Sequence, residues 1–218
     1  PLGEGELYLR AQFWQLMQTG SGDELIVAPY QRSPQLGWRA APASRAGFTT
    51  TFETEINHFT LPVGSASPND PTGWRWHALG SIARPFGDSG WWITPKLSLN
   101  AAAYTIDQTG AALSSRAWRA IPTTSIDAGL VFERQASWFG RAQRQTLEPR
   151  LLYTNTRYRD QSRLPNFDSA GKTFNFVSIF AENPFAGVDR VADVNGFTAG
   201  VTTRLFDALT GAETLRLA

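Results

Sequence analysis

Two histidines, His58 and His77, and a run of arginines and acids between Arg157 and Asp168 are the residues of this chain whose types could do chemistry. The histidines fall on different predicted strands with no Asp or Glu at metal-ligand spacing. Each therefore reads more simply as a rim or interior histidine than as a metal ligand. Glu53 and Glu55 are two residues apart. On a strand that spacing aims both carboxylates the same way and imitates an acid–base pair. No cleft partner accompanies them, so pairing with an Arg or Lys of a neighbouring strand is the simpler expectation. The second group is Arg157, Arg159, Asp160, Gln161, Arg163 and Asp168, with Asp189 and Arg190 further on. Guanidinium groups grip phosphates bidentately, but acids are interleaved with the bases, and a loop network that satisfies its own charges is expected. No nucleophile elbow, phosphate loop or Ser/His/Asp grouping is present. The reading assigns no catalytic residue, no cofactor and no metal. There is no cysteine, hence no disulfide or thiolate site in this segment. A net charge of +1 implies no nucleic-acid partner.

The elements that must carry these residues are strands. Helical periodicity is nearly absent and period two dominates. Strands are predicted at 6–18, 30–40, 46–59, 73–83, 91–104, 119–134, 144–156 and 193–206, with a ninth starting near Ala212. In the clearest, Phe48, Thr50, Phe52, Thr54 and Ile56 oppose Thr49, Thr51, Glu53, Glu55 and Asn57. The connections alternate in length. Those at 19–29, 60–72, 105–118 and 157–192 are long, those at 41–45, 84–90 and 208–211 are short, and 135–143 is intermediate. Short turns on one side and long loops on the other describe an antiparallel up-and-down transmembrane β-barrel. The strand lengths also exceed the usual five or six residues and suit the roughly 9–11 tilted residues that a bilayer needs. Trp74, Trp76 and Trp118 lie towards the long-loop side, and Trp91, Trp92 and Trp138 towards the short-turn side. Amphipathic rings collect at both membrane–water interfaces in this way.

Register follows from cost. With the apolar face towards lipid, Arg39, Glu53, Glu55, Lys96, Asp127, Glu148, Arg150 and Arg204 line the interior. A slip of one residue puts them in the bilayer, where a midplane Arg or Lys costs about 2–4 kcal/mol. Pro34, Pro95, Pro122 and Pro149 each remove a ladder donor near a strand start, so bulges or fraying are expected there.

At Leu147-Glu148-Pro149-Arg150, Tyr158-Arg159-Asp160-Gln161-Ser162, Pro165 and Phe167-Asp168-Ser169 the chain resembles the barrel of the lipopolysaccharide-assembly outer-membrane family LptD. The resemblance continues at Asp189-Arg190, Asp193, Asn195 and Gly200-Val201-Thr202-Thr203-Arg204, is matched upstream by the run Ile126 to Arg134, and is looser at Tyr30 to Leu36. At Asn183-Pro184-Phe185 the chain departs from the family, which usually has Arg before the aromatic residue.

The resemblance implies a Gram-negative outer-membrane barrel of about two dozen strands, preceded by a periplasmic jelly roll. Such a barrel encloses a plug lipoprotein, LptE, and receives lipopolysaccharide from the bridge protein LptA through the jelly roll. It releases its cargo into the outer leaflet between its first and last strands. Residues 1–218 are then expected to be part of the barrel domain: about nine strands in an open curved sheet, without the jelly roll, the terminal barrel strands or the family's cysteines. Free edges do not survive in lipid. Two other readings stay open. One is a smaller outer-membrane barrel, porin-like or lipid-modifying, in which the first strand pairs with the last and a histidine reaches a serine. The other is a soluble β-sandwich binding module, with Phe52, Leu99 and Phe132 in a closed dry interior.

Overall fold

The computed structural model describes residues 4–15, 29–62, 70–108, 113–138 and 140–218. Strands dominate it: β1 (Gly5–Gln12), β2 (Gln31–Ala40), β3 (Ala43–Arg45), β4 (Phe48–Thr60), β5 (Thr72–Ala83), β6 (Phe86–Gly87), β7 (Trp91–Gln108), β8 (Arg116–Leu130), β9 (Phe132–Trp138), β10 (Arg141–Thr156), β11 (Val194–Asp207) and β12 (Glu213–Leu217). They form one antiparallel sheet in the order β1-β2-β4-β5-β7-β8-β10-β11-β12, with β3, β6 and β9 extending the hairpins. Neighbours in sequence are neighbours in space, an up-and-down meander. β1 and β12 stand at opposite edges and do not pair with each other, which counts against a small closed barrel.

The short connections are tighter than the sequence pattern suggests. β3 pairs with β4 across Ala46 and Gly47, whose φ values of 52° and 80° make a two-residue turn with both central residues left-handed. Position 46 is therefore turn rather than strand. The predicted strand 119–134 divides into β8 and β9 at Val131, and β9 runs on to Trp138, so 135–143 closes as a hairpin onto β10. Of the four prolines, Pro34 lies in a register shift between β2 and β4, and Pro149 lies opposite the β8–β9 junction. Pro95 and Pro122 sit inside an unbroken β7–β8 register. Residues 16–18 of the first predicted strand, and most of the connections at 19–29 and 60–72, fall outside the described residues.

The two faces of the sheet are reversed relative to a soluble domain. Phe52, Leu99 and Phe132 are 41%, 46% and 55% exposed, and Leu7, Leu36, Leu97, Ile126 and Leu151 share their face. On the other face Asn57, Arg75, His77, Arg119, Thr123 and Ser125 are buried. A soluble sandwich would bury the first set. The apolar face carries the tryptophans near its ends. Trp76 and Trp118 lie on one ladder row through Ala103, and Trp91 and Trp138 are exposed at the hairpin side. Trp92 alternates to the opposite face and lies across Gly129, where a Cβ would come within 2.2 Å of its ring. Only glycine admits that approach. A shallow groove of about 690 Å³ runs over Ala128, Pro149 and Ala199 on the apolar face, between Ile93, Leu130 and Val201.

The hydrophobic core sits on the polar face. Phe59, Ala102, Tyr104 and Ile106 of the sheet pack with Leu164 and Phe167 of the segment that joins β10 to β11. That connection is what covers the face.

Candidate functional site

The β10–β11 connection, residues 157–193, contains one 3-10 turn, Ser178–Phe180, and a single bridge, Gly171 to Phe185. It lies along the polar face and is fixed to the sheet by charge and by stacking. Arg75 of β5 is 1% exposed and is the centre of the contact. Its Nη2 meets Asp168 Oδ2 at 2.8 Å and its Nη1 meets Asp189 Oδ1 at 2.9 Å. Asp189 is fully buried. It accepts from Arg75, from the Tyr104 hydroxyl at 2.8 Å, and from the backbone N–H groups of Phe167 and Asp168 at 2.7 and 3.0 Å. Arg32 of β2 reaches Asp168 at 3.4 Å. Phe167 stacks on Phe59 at 4.4 Å, and the Arg75 guanidinium lies 4.7 Å from the centre of the same Phe59 ring. Arg119 of β8 donates to the Val188 carbonyl and to Asn100. Further along, Glu182 accepts from Lys96 at 3.0 Å and from Ser125 at 2.5 Å. Phe180 lies beneath Arg150 at 4.5 Å.

Local chemistry gives the segment its shape. Gln161 closes on Val191 in both directions, donating to its carbonyl and accepting from its N–H. Arg190 donates to the carbonyls of Leu164 and Pro165. Gly187 has φ 69°, and a Cβ there would meet the Asp168 carbonyl at 2.3 Å. The turn that presents Asp168 and Asp189 side by side therefore requires glycine.

Burial alone would raise the Asp168 carboxyl. The hydrogen bond and charge of Arg75, the Val188 N–H and the charge of Arg32 outweigh it and hold the group at about 2. Its neighbour Asp189 is pushed the other way, upward, because burial and the Asp168 charge outweigh Arg75. The folded value of Asp168 lies below the ordinary one, so by itself it contributes stability that is complete above about pH 4 and is lost as pH falls towards 2. The segment is expected to resist protease from neutral pH down to about 4 and to become cleavable below that. Digestion of the full-length protein across that range checks it. Cleavage that begins at pH 6 would contradict it.

The residues singled out by sequence separate into three groups. The strand charges form cross-strand contacts on the covered face: Arg39 with Glu53 at 2.8 Å, Arg150 with Asp127 at 2.9 Å, and Arg204 with Glu148 at 2.7 Å. Lys96 pairs with the loop's Glu182. Glu55 accepts from Tyr8 at 2.5 Å, Gln35 at 2.8 Å and Asn57 at 2.5 Å. Of the loop residues, Gln161, Asp168, Asp189 and Arg190 are structural, but the two aspartates are matched by strand arginines rather than by their loop neighbours. Asp160 accepts from Ser162, through its N–H at 2.9 Å and its side chain. Arg157 and Arg159 are exposed and form no ion pair among the described residues.

The charge pattern of the sequence does not single out Arg75, Tyr104 and Arg119. Their signal was Arg75 between Trp74 and Trp76, which alternation alone places on the polar face. Neither histidine faces a serine. His58 Nε2 lies 3.1 Å from Asp107 and its ring stacks on Trp74, and both ring nitrogens of His77 are buried without a hydrogen-bond partner. Among the described residues no group of three metal-capable side chains converges.

The family model described as LPS transport system D, LptD, matches residues 3–218. The chain belongs to the LptD family. It is 44% identical over 98% of its length to the LPS-assembly protein LptD of Acidovorax sp. (strain JS42), and 40% identical over 99% to that of Ralstonia nicotianae. The corresponding protein of Paracidovorax citrulli is 42% identical over 96% of the chain. In each case the match spans about a quarter of the relative, 25–26% of its length.

Proposed function

We propose that this chain is wall of an LptD β-barrel in the outer membrane of a Gram-negative cell. In that role it helps to move lipopolysaccharide from the periplasm into the outer leaflet, without a catalytic step. The observation that carries this reading is the reversed sheet: an exposed apolar face backed by buried charge, with unpaired edges on β1 and β12 for further strands. The apolar face meets lipid, and Arg39, Glu53, Glu55, Lys96, Asp127, Glu148, Arg150 and Arg204 face the lumen. The segment 157–193 is the extracellular loop, folded inward over that lumen. The partners of the whole protein are lipopolysaccharide, the plug lipoprotein LptE inside the barrel, and LptA by way of a jelly roll.

Spin labels on the full-length protein with its lipoprotein, reconstituted in bilayers, test the reading. Labels at Phe52, Leu97 and Leu99 are expected to be relaxed by oxygen dissolved in lipid. Labels at Thr94 and Asp127 are expected to respond to a water-soluble nickel chelate instead. The same accessibility for both sets would overturn the assignment of faces. Depletion of the protein in cells is expected to stop newly made lipopolysaccharide from reaching the surface, and unchanged delivery would overturn the assigned role.

A further inference from the structure

Most arginines of this chain are matched. Arg32, Arg39, Arg75, Arg144, Arg150, Arg204 and Arg216 pair with carboxylates. Arg119, Arg134 and Arg190 donate to amide or backbone oxygens, and Arg10 and Arg84 lie over aromatic rings. Six remain: Arg45, Arg116 and Arg141, exposed and each at the end of a different strand, and Arg157, Arg159 and Arg163, gathered in one loop. Those last three are exposed, within seven residues of one another, and none forms an ion pair or donates a hydrogen bond among the described residues. The acid in their midst, Asp160, accepts from the N–H of Ser162 at 2.9 Å and feels the charge of Arg163, one carboxylate against three guanidinium groups.

Their position is as telling as their freedom. The chain leaves the ladder at Thr156, opposite Val194 and Thr123. Just before that exit, Tyr153 and Phe197 pair on the apolar face with ring centres 4.8 Å apart, and Phe197 is largely exposed. Just after it, Tyr158 is exposed between Arg157 and Arg159. Aromatic rings of this kind mark the level at which hydrocarbon gives way to headgroups. Cations directly beyond such a belt stand among headgroups, with phosphate as the abundant anion. A guanidinium fork matches two phosphate oxygens. Arginines left without a carboxylate at that level keep their donors free for that use, whereas those on the covered face do not.

We propose that Arg157, Arg159 and Arg163 form a binding surface for the phosphate groups of lipids in the leaflet around the long-loop end of the sheet. The proposal rests on the membrane reading above and adds to it a lipid-selective contact outside the lumen.

The test uses the full-length protein with its lipoprotein, reconstituted in nanodiscs of phosphatidylcholine containing either bis-phosphorylated lipid A or the same lipid dephosphorylated. Lipid retained after washing is counted by native mass spectrometry. The wild type is expected to retain the phosphorylated form at least about fivefold better. The triple variant R157Q/R159Q/R163Q is expected to lose that preference, and R157K/R159K/R163K to keep part of it. Arg45→Gln, in the hairpin at the opposite end, is expected to behave as wild type. The side chains of these arginines form no ion pair and donate no hydrogen bond among the described residues, so the triple variant should fold, and its seated loop can be verified by protease resistance. Equal retention by wild type and the Gln triple variant would overturn the proposal. So would displacement of the lipid by millimolar inorganic pyrophosphate as readily as by added lipid A, which would assign the site to soluble phosphate. Failure of the protein to enter the nanodisc at all is a distinct result and would take the membrane reading down with it.

Discussion

Arg75→Ala is expected to unseat the 157–193 segment while the strands stay paired. The substitution leaves Asp189 buried against the sheet with no cation and Asp168 with only the longer Arg32 contact at 3.4 Å. Removing one side of a buried ion pair costs about 3–5 kcal/mol. At about 1.4 kcal/mol per decade, that is roughly two to four orders of magnitude in the equilibrium between seated and released loop. The ladders do not run through Arg75's side chain, so the loss falls on the loop. Protease cleavage or hydrogen exchange within 157–193 of the membrane-embedded full-length protein measures it. Arg75→Lys separates charge from shape. One ammonium cannot hold both Nη1 and Nη2 positions of the fork, so it should recover part of the protection and not all. A segment as protected in Arg75→Ala as in the wild type would mean that Phe167 on Phe59, with Glu182 on Lys96 and Ser125, suffices to hold the loop.

Leu99→Arg is expected to have the second large effect, and its sign separates a lipid-facing surface from a watery one. Leu99 is 46% exposed on the apolar face, paired across the ladder with Gly80 and Pro122. In water, an Arg there would change stability by no more than about 0.5 kcal/mol. In a bilayer it costs about 2–4 kcal/mol. Thr94→Arg is the matched control, because Thr94 lies on the covered, polar face opposite Asp127, a carboxylate it would share with Arg150. The urea midpoint of the vesicle-embedded full-length protein should fall for Leu99→Arg and stay close to wild type for Thr94→Arg. Equal midpoints would remove lipid from the apolar face.

The parts of this fold that could be read from sequence were those governed by period two. The alternations at 46–59 and 91–104 place Phe52 and Leu99 on one face and Glu53 and Lys96 on the other, because a strand offers no third option. The break at Val131 and the hairpin that follows Trp138 could not be read in this way, since Phe132 continues the alternation across the junction. The candidate site was legible only in part. Asp168 and Asp189 stood out as charges, but their nearest bases in sequence are loop residues, and local pairing was the natural inference. Their actual partner is Arg75, 114 residues from Asp189. No local pattern encodes a contact at that separation. The same reasoning grouped Arg157 and Arg159 with the acids beside them, whereas the folded loop turns those acids elsewhere.

The span of the Arg75 contact also bears on the order of assembly. Tyr104 and Asp189 are 85 residues apart, and Arg32 and Asp168 are 136 apart. Contacts so distant along the chain form late, after shorter closures have brought their ends together. Between Arg75 and Asp189 lie β7, β8 and β10, each joined to the next by hairpin pairing of near neighbours. The meander therefore zips first, and Arg75 waits on its open face until the segment after β10 arrives. A sheet with one of those strands out of register would present Arg75, Lys96 and Arg150 at the wrong offsets for Asp189, Glu182 and Phe180. Seating of the loop thus acts as a checkpoint, completed only on a wall whose strands are already correctly aligned.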